Sequence, residues 1–98
     1  MAKLLRVVPS ANREKKYDAV FENGKVVSFG GRRDTGIPYD DYLSTGNRMK
    51  REMYIARHRV NEDWTDPYAA GTLSRYLLWG NSRKLSENLA AYRKRFSV

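Results

Sequence analysis

Residues 61–80 hold both tryptophans, Trp64 and Trp79, and the densest apolar run of an otherwise polar chain. Asp66-Pro67 predicts a helix start, because the Asp side chain takes free amide hydrogens and Pro fits the first turn. The helix is predicted to run to about Trp79 and to stop at Gly80. Ala69, Ala70, Leu73, Tyr76 and Leu77 fall on one face. Tyr68, Leu78 and Trp79 fall toward the back, beside Gly71 and Arg75. A short helix with apolar groups on more than one side needs cover on several sides. That cover is either the domain's own core or a partner. A two-fold homodimer would bury Tyr68, Arg75, Leu78 and Trp79 together.

The clearest local signal lies upstream. Tyr17–Glu22 and Lys25–Phe29 are β-compatible runs separated by Asn23-Gly24, a pair that accepts the positive φ values of a type I′ turn. This register places Glu22 opposite Lys25. It sets Tyr17, Ala19, Phe21 and Val26 on one face, and Asp18, Val20, Val27 and Phe29 on the other. Two strands alone are marginal in water, and Lys3–Val8 supplies a third, ended by Pro9. Gly30 to Pro38 breaks the sheet, and Tyr39 to Gly46 leaves room for one helical turn. Asn47 is the expected cap of a helix running to about Val60. In it, Met49, Met53, Ala56 and Val60 mark one face, and Arg51 and His58 point away from it. Asn81-Ser82 opens a last helix, Arg83 to Phe96, with Leu85, Leu89, Tyr92 and Phe96 as its inner stripe. Arg93, Lys94 and Arg95 sit in its final turn, where cations suit the helix dipole.

The expected fold is therefore α+β, one domain over residues 1–98: an N-terminal antiparallel β-hairpin or three-stranded sheet, followed by three α-helices. A chain of this length buries roughly 65% of its unfolded surface, enough for one modest core. There are no cysteines, so disulfides and thiolate metal sites are excluded and a reducing, intracellular setting is expected. No apolar run approaches the ~20 residues of a membrane-spanning helix, and Met1–Pro9 is too short and mixed for a secretory signal.

Net charge is +8, and it is unevenly placed: residues 1–33 carry +5, residues 34–66 carry −2 and residues 67–98 carry +5. Two basic ends around a mildly acidic middle attract polyanions, chiefly nucleic acid. The candidate phosphate contacts are Lys15, Lys16, Arg32, Arg33, Arg51, Arg57, Arg83, Lys84, Arg93, Lys94 and Arg95. Arg48, Lys50 and Arg59 lie in the same basic clusters. Tyr17, Tyr54, Tyr92 and Phe96 neighbour some of these, which suits phosphate contact and base stacking. Tyr92 and Phe96, however, belong to the inner stripe of the last helix. No helix-turn-helix, zinc-finger or RNA-recognition pattern is present, so the expected binding is independent of sequence.

Catalytic signatures are weak. His58 is the single histidine, which rules out triads and metal sites built on histidine pairs. Asp40-Asp41 and Glu62-Asp63-Asp66 are carboxylate clusters; two carboxylates can bind Mg²⁺ or share a proton, but Asp66 reads more simply as a helix cap, and Glu62 and Asp63 as partners of nearby arginines. Gly30-Gly31 lacks the Lys-Ser/Thr ending of a phosphate loop. No enzyme activity, cofactor or metal is expected.

Lys16-Tyr17, Phe21-Glu22-Asn23-Gly24-Lys25 and Phe29-Gly30 occur in order with Tyr54, Ala56-Arg57-His58, Asn61-Glu62-Asp63-Trp64, Asp66-Pro67, Ala70-Gly71, Leu77, Trp79 and Lys94-Arg95-Phe96. In this the chain resembles an uncharacterised family of small basic proteins of nucleocytoplasmic large DNA viruses, and within it a marseillevirus member. The resemblance spans about residues 15–98. It departs over Arg32–Gly46, where the family has a shorter Gly-Tyr-containing link into a Lys-rich helix. It implies a viral origin and packaging in the virion, or residence in the cytoplasm or nucleus of the infected cell. It transfers no catalytic residues. The expected role is a non-enzymatic structural or accessory protein that binds DNA or RNA through its basic ends. The alternative is a protein-interaction module, a homodimer or a binder of a host or virion protein, that uses the Trp-rich helix over residues 64–79.

Overall fold

Three antiparallel strands, β1 (Leu4–Pro9), β2 (Lys15–Phe21) and β3 (Val26–Gly31), form a meander in that order in the computed structural model, which describes residues 2–98. The β2–β3 hairpin closes through three residues rather than two. Gly24 N–H donates to Phe21 O at 3.0 Å and Phe21 N–H to Lys25 O at 2.9 Å. Gly24 takes a φ of 86°, and Asn23 is not among the positive-φ residues. The loop is thus a turn followed by a left-handed glycine, not the expected type I′ turn. Val20 pairs with Val26, Ala19 with Val27 and Tyr17 with Phe29. The expected opposition of Glu22 and Lys25 does not form. A slip of one residue exchanges the faces of a strand, so Phe29 and Val27 join Tyr17, Ala19 and Phe21. Ala19, Phe21 and Phe29 are buried together. The core decides the register here: the two-residue turn would have sent Phe29 to the opposite face.

The first strand forms as expected, with a bulge. The register shifts between Leu4 and Arg6. Leu4 is thereby 2% exposed while Leu5 is 48% exposed. After β3 the chain makes a small loop bridged by Arg32 and Pro38. A single helical turn, α1 (Tyr42–Thr45), follows. Asp41 caps it: its Oδ1 accepts Ser44 N–H at 2.8 Å, and Ser44 Oγ accepts Asp41 N–H at 3.2 Å. That reciprocal pair satisfies two free amides at once.

Helix α2 (Arg48–His58) starts at the expected cap, Asn47, whose Oδ1 accepts Lys50 N–H at 3.1 Å. Its buried face is not the expected one. Met49, Met53 and Val60 are 74%, 57% and 74% exposed. Arg51 is turned inward instead, and Tyr54, Ile55 and His58 are partly buried beside it. The cause is the end of the next helix. Arg51 Nε donates to Trp79 O at 3.1 Å and Gly80 O at 2.9 Å, and Nη2 to Asn81 Oδ1 at 2.7 Å. Carbonyls at a helix end need donors, and a guanidinium supplies several in one fork. This requirement outweighs the burial of two methionines.

Helix α3 (Ala70–Leu73), continued without a break by a π-helical turn (Ser74–Leu78) that is part of the same helix, begins later than expected. Asp66 accepts Tyr68 N–H at 2.9 Å and makes a turn ahead of the helix. From Ser74 to Leu78 the helix widens to i→i+5 bonding, with Trp79 N–H on Ser74 O at 3.1 Å. The inserted residue rotates the following side chains, so Leu77, Leu78 and Trp79 are all buried in succession. This corrects the expected partner face. Leu78 at 2% and Trp79 at 8% exposure are covered by their own chain. Tyr68 packs edge-on against Phe21 with centroids 4.9 Å apart.

Helix α4 (Leu85–Phe96) carries the expected inner stripe, with Tyr92 buried and Leu85, Leu89 and Phe96 packed on the core. Buried Asn88 ties its first turn to α3, donating to Leu77 O at 2.9 Å and Ser82 O at 2.8 Å. Tyr92 Oη donates to Pro67 O. The architecture is a three-stranded antiparallel sheet followed by helices, as expected, and α1 brings the helices to four. One hydrophobic cluster runs from Leu4 through Phe21 and Phe29 to Leu73, Leu77 and Tyr92. Each large side chain fully buried there is worth about 1.5–3 kcal/mol before entropy is counted.

Candidate functional site

A cleft of about 730 Å³ opens between the β2–β3 end of the sheet, the segment before α1, helix α2 and the start of α3. Phe29, Gly30, Leu78 and Trp79 line its apolar part. Gly30 is required there: its φ is 79°, and a Cβ would stand 3.0 Å from both Leu78 Cδ1 and Lys16 Cβ. Lys16 and Asp41 form a buried ion pair of 2.6 Å against the cleft, and Lys16 also donates to Tyr39 O.

One wall is a ladder of rings. Trp79 stacks on Tyr54 at 4.5 Å between centroids, with an interplanar angle of 8°, and Tyr54 stacks on His58 at 4.1 Å. His58 Nδ1 lies 3.0 Å from Glu62 Oε2. Burial, with the Glu62 charge adding to it, pushes the Tyr54 hydroxyl up to about 12, against the opposing pull of Arg75 and Arg57. Tyr54 is thus a neutral stacking surface at any ordinary pH. Gly71 leaves the space that Glu62 occupies, since a Cβ there would collide with Glu62 Oε1.

Lys15, Arg33, Lys50 and Arg57 stand around the cleft, brought from β2, the β3–α1 loop and α2. Arg33 lies over the exposed ring of Tyr39 at 5.2 Å. Lys50 pairs with Asp40 at 3.2 Å, but the two side chains are 51% and 66% exposed. Such a pair is weak and exchanges readily with another anion. The lining has five Lys or Arg side chains against three carboxylates, Asp40, Asp41 and Glu62.

The remaining basic residues serve varied ends. Arg51 is buried at the end of α3, away from the cleft, and Lys16 is spent in its ion pair, so neither stands on the open cationic rim, which corrects the expectation for both. Arg32 shapes its own loop, donating to Lys15 O at 3.2 Å and Gly36 O at 3.0 Å. Arg93 donates to Leu4 O and Leu5 O, so it fastens α4 to β1. Arg83 reaches Ser44 O at 3.3 Å, and Arg95 lies over Tyr76 at 4.5 Å. Lys84 and Lys94 are exposed. None of the basic residues of α4 lines the cleft. Of the residues expected from the sequence, the cleft gathers Lys15, Lys16, Arg33 and Arg57. Tyr39 and the cleft-lining roles of Lys50 and His58 were not foreseen. No periodicity marks them, because they reach the cleft from a loop and from the face of α2 that the methionines disguise.

Among the described residues, ion pairs to carboxylates involve only Lys16, Lys50 and Arg51 of the 19 Lys and Arg side chains. No group of three or more His, Asp and Glu among those residues is placed to hold a metal ion. Among them too, no helix is long and apolar enough to cross a membrane. Fold and site together define a small basic α+β protein with a cation-rimmed, ring-walled cleft. The chain belongs to the Family of unknown function (DUF5754), whose model matches residues 5–58. That span runs from β1 to the end of α2 and contains Lys15, Arg33, Lys50 and Arg57. No curated protein and no solved structure matches the chain.

Proposed function

We propose that the protein is a non-enzymatic nucleic-acid-binding protein that grips the phosphodiester backbone without sequence preference, along the cationic rim of the cleft. The observation that carries this reading is the convergence of Lys15, Arg33, Lys50 and Arg57 on one concavity, in a chain whose cations are mostly unmatched by carboxylates. A rim of this kind contacts phosphates and releases counterions. The exposed ring of Tyr39 under Arg33 offers a flat surface to an unpaired base. The resemblance to giant-virus proteins supports a viral setting, as an accessory or structural protein carried in the particle.

The test is fluorescence anisotropy with single-stranded and duplex oligonucleotides of unrelated sequence at ~50 and ~200 mM salt. Four neutralised phosphates correspond to a slope of log K against log salt of about −3 to −4. The triple variant Arg33→Gln, Lys50→Gln, Arg57→Gln is expected to flatten that slope. The absence of binding at low salt, or an unchanged slope in the variant, would remove the proposal.

A further inference from the structure

A second, smaller pocket, about 80 Å³, lies at the end of α3 and shares no lining residue with the cleft. Its walls include Arg51, Arg75, Tyr76, Asn81, Asn88 and Arg95, and no carboxylate. Arg51 Nε and Arg75 Nη1 both donate to Trp79 O, at 3.1 and 3.0 Å, so the two nitrogens are no farther apart than the sum of those distances. Arg75 and Arg95 both lie over the Tyr76 ring, at 4.7 and 4.5 Å from its centroid. Arg75 Nε is buried and has no hydrogen-bond partner. The one carboxylate on Arg51, Glu52, is 68% exposed and outside the pocket.

Three guanidinium side chains thus line one pocket, two of them sharing a carbonyl, with no carboxylate among its walls. Burial lowers the pKa of Arg75, and repulsion from Arg51 and Arg95 lowers it further. Tyr76 and Tyr54 oppose that shift, and arginine keeps its proton under ordinary conditions, so the pocket stays cationic and an anion bound there offsets the repulsion. The space admits one small oxyanion and excludes a nucleoside. Guanidinium forks match the paired oxygens of phosphate, and the charge of three cations suits a dianion better than a monoanion. Asn81, whose Oδ1 accepts from Arg51 Nη2 at 2.7 Å, lines the same pocket.

We propose that this pocket binds a single phosphate group, held by Arg51, Arg75 and Arg95. The group comes either from inorganic phosphate or from the terminal phosphate of an oligonucleotide. An internal phosphodiester carries two ester substituents and one charge, and fits poorly.

The experiment titrates sodium phosphate into the full chain by calorimetry, and follows thermal unfolding in phosphate against sodium chloride of equal ionic strength. Saturable binding at millimolar phosphate or below is expected, with a higher melting temperature than in chloride. Arg95→Gln changes an exposed side chain that holds no backbone group. It is expected to melt as wild type in chloride yet to bind phosphate at least fivefold more weakly. Arg13→Gln, which is not among the residues lining the pocket, is expected to bind as wild type. The cleft variant Arg33→Gln, Lys50→Gln, Arg57→Gln is expected to keep phosphate binding, so the two sites succeed or fail separately. A 5′-phosphorylated oligonucleotide that binds more tightly than its 5′-hydroxyl twin in wild type, but not in Arg95→Gln, assigns the terminal group. Equal affinity of the twins, with phosphate still bound, assigns the free ion. Phosphate acting no more strongly than chloride, or Arg13→Gln weakening binding as much as Arg95→Gln, would overturn the assignment.

Discussion

Lys16 and Asp41 meet at 2.6 Å with side chains 8% and 7% exposed, and so join the central strand to the turn that opens α1. The second carboxylate oxygen of Asp41 caps that turn through Ser44 N–H. One aspartate therefore satisfies a buried cation and a helix start together. Asp41→Ala is expected to cost about 3–5 kcal/mol, because it strands the ammonium in a dry site as well as removing a cap. The double variant Lys16→Met, Asp41→Asn is expected to recover much of that loss, since Asn still caps and no charge is left unpaired. Urea unfolding of the wild type and both variants measures the difference.

Two glycines of α3 and its end are expected to respond in opposite ways to alanine. At Gly71 the new methyl meets the end of a flexible side chain, Glu62, which can swing aside. Helix propensity gains up to about 1 kcal/mol there, so Gly71→Ala is expected to be neutral or mildly stabilising. At Gly80 the methyl meets the backbone oxygen of Tyr76 and the buried side chain of Asn88. Gly80→Ala is expected to destabilise by about 1–3 kcal/mol, the usual cost of overpacking. Paired denaturation midpoints decide the contrast.

The exposed face of α2 is expected to tolerate polarity. Met49→Gln and Met53→Gln change side chains that are 74% and 57% exposed. Each is expected to stay within about 0.5 kcal/mol of wild type. Trp79→Ala, by contrast, removes a ring that is 8% exposed and stacked on Tyr54. It is expected to lose about 3–5 kcal/mol. If the methionines were the buried stripe the order would invert.

Alkali is expected to unfold the protein. Tyr54 is raised to about 12, and Tyr92 is raised further, chiefly by burial. A phenol whose folded pKa lies above its unfolded value of about 10 stabilises the fold fully below pH 10. Above that pH the unfolded chain releases the proton first, so stability falls as pH rises toward the folded value. The loss approaches about 1.4 kcal/mol per pH unit for each tyrosine at most. Denaturant midpoints between pH 9 and 12 are expected to fall, and Tyr54→Phe is expected to make the fall shallower.

The three strands and the last helix were legible because alternation and helical spacing reflect burial directly. The cap at Asn47 was legible for a similar reason: a short amide side chain ahead of a helix has one obvious use. The face of α2 was not legible. Hydrophobic spacing favours Met49, Met53 and Val60, and it gives no weight to the carbonyls at the end of α3 that draw Arg51 inward. The hairpin register failed through a similar contest, between the local preference of Asn23-Gly24 and the demand that Phe29 join Phe21. The cleft was half visible. Charge runs pointed to Lys15, Arg33 and Arg57, but adjacency in sequence also put forward Lys16, whose charge is taken up by buried Asp41. The arginines near the C-terminus looked like part of the same surface, and nothing in the pattern showed that Arg93 would fasten a strand.

That fastening has a consequence for how copies of the protein treat one another. Arg93 covers carbonyls 88 and 89 residues away, on the strand at the margin of the sheet. Pro9 closes the far end of the same strand, where no amide hydrogen is offered. An intruding chain seeking to add itself to that margin finds both ends blocked. Loss of Arg93 is thus a threat to solubility in crowded conditions more than to the resting fold, because the exposed ladder becomes free to recruit its neighbours.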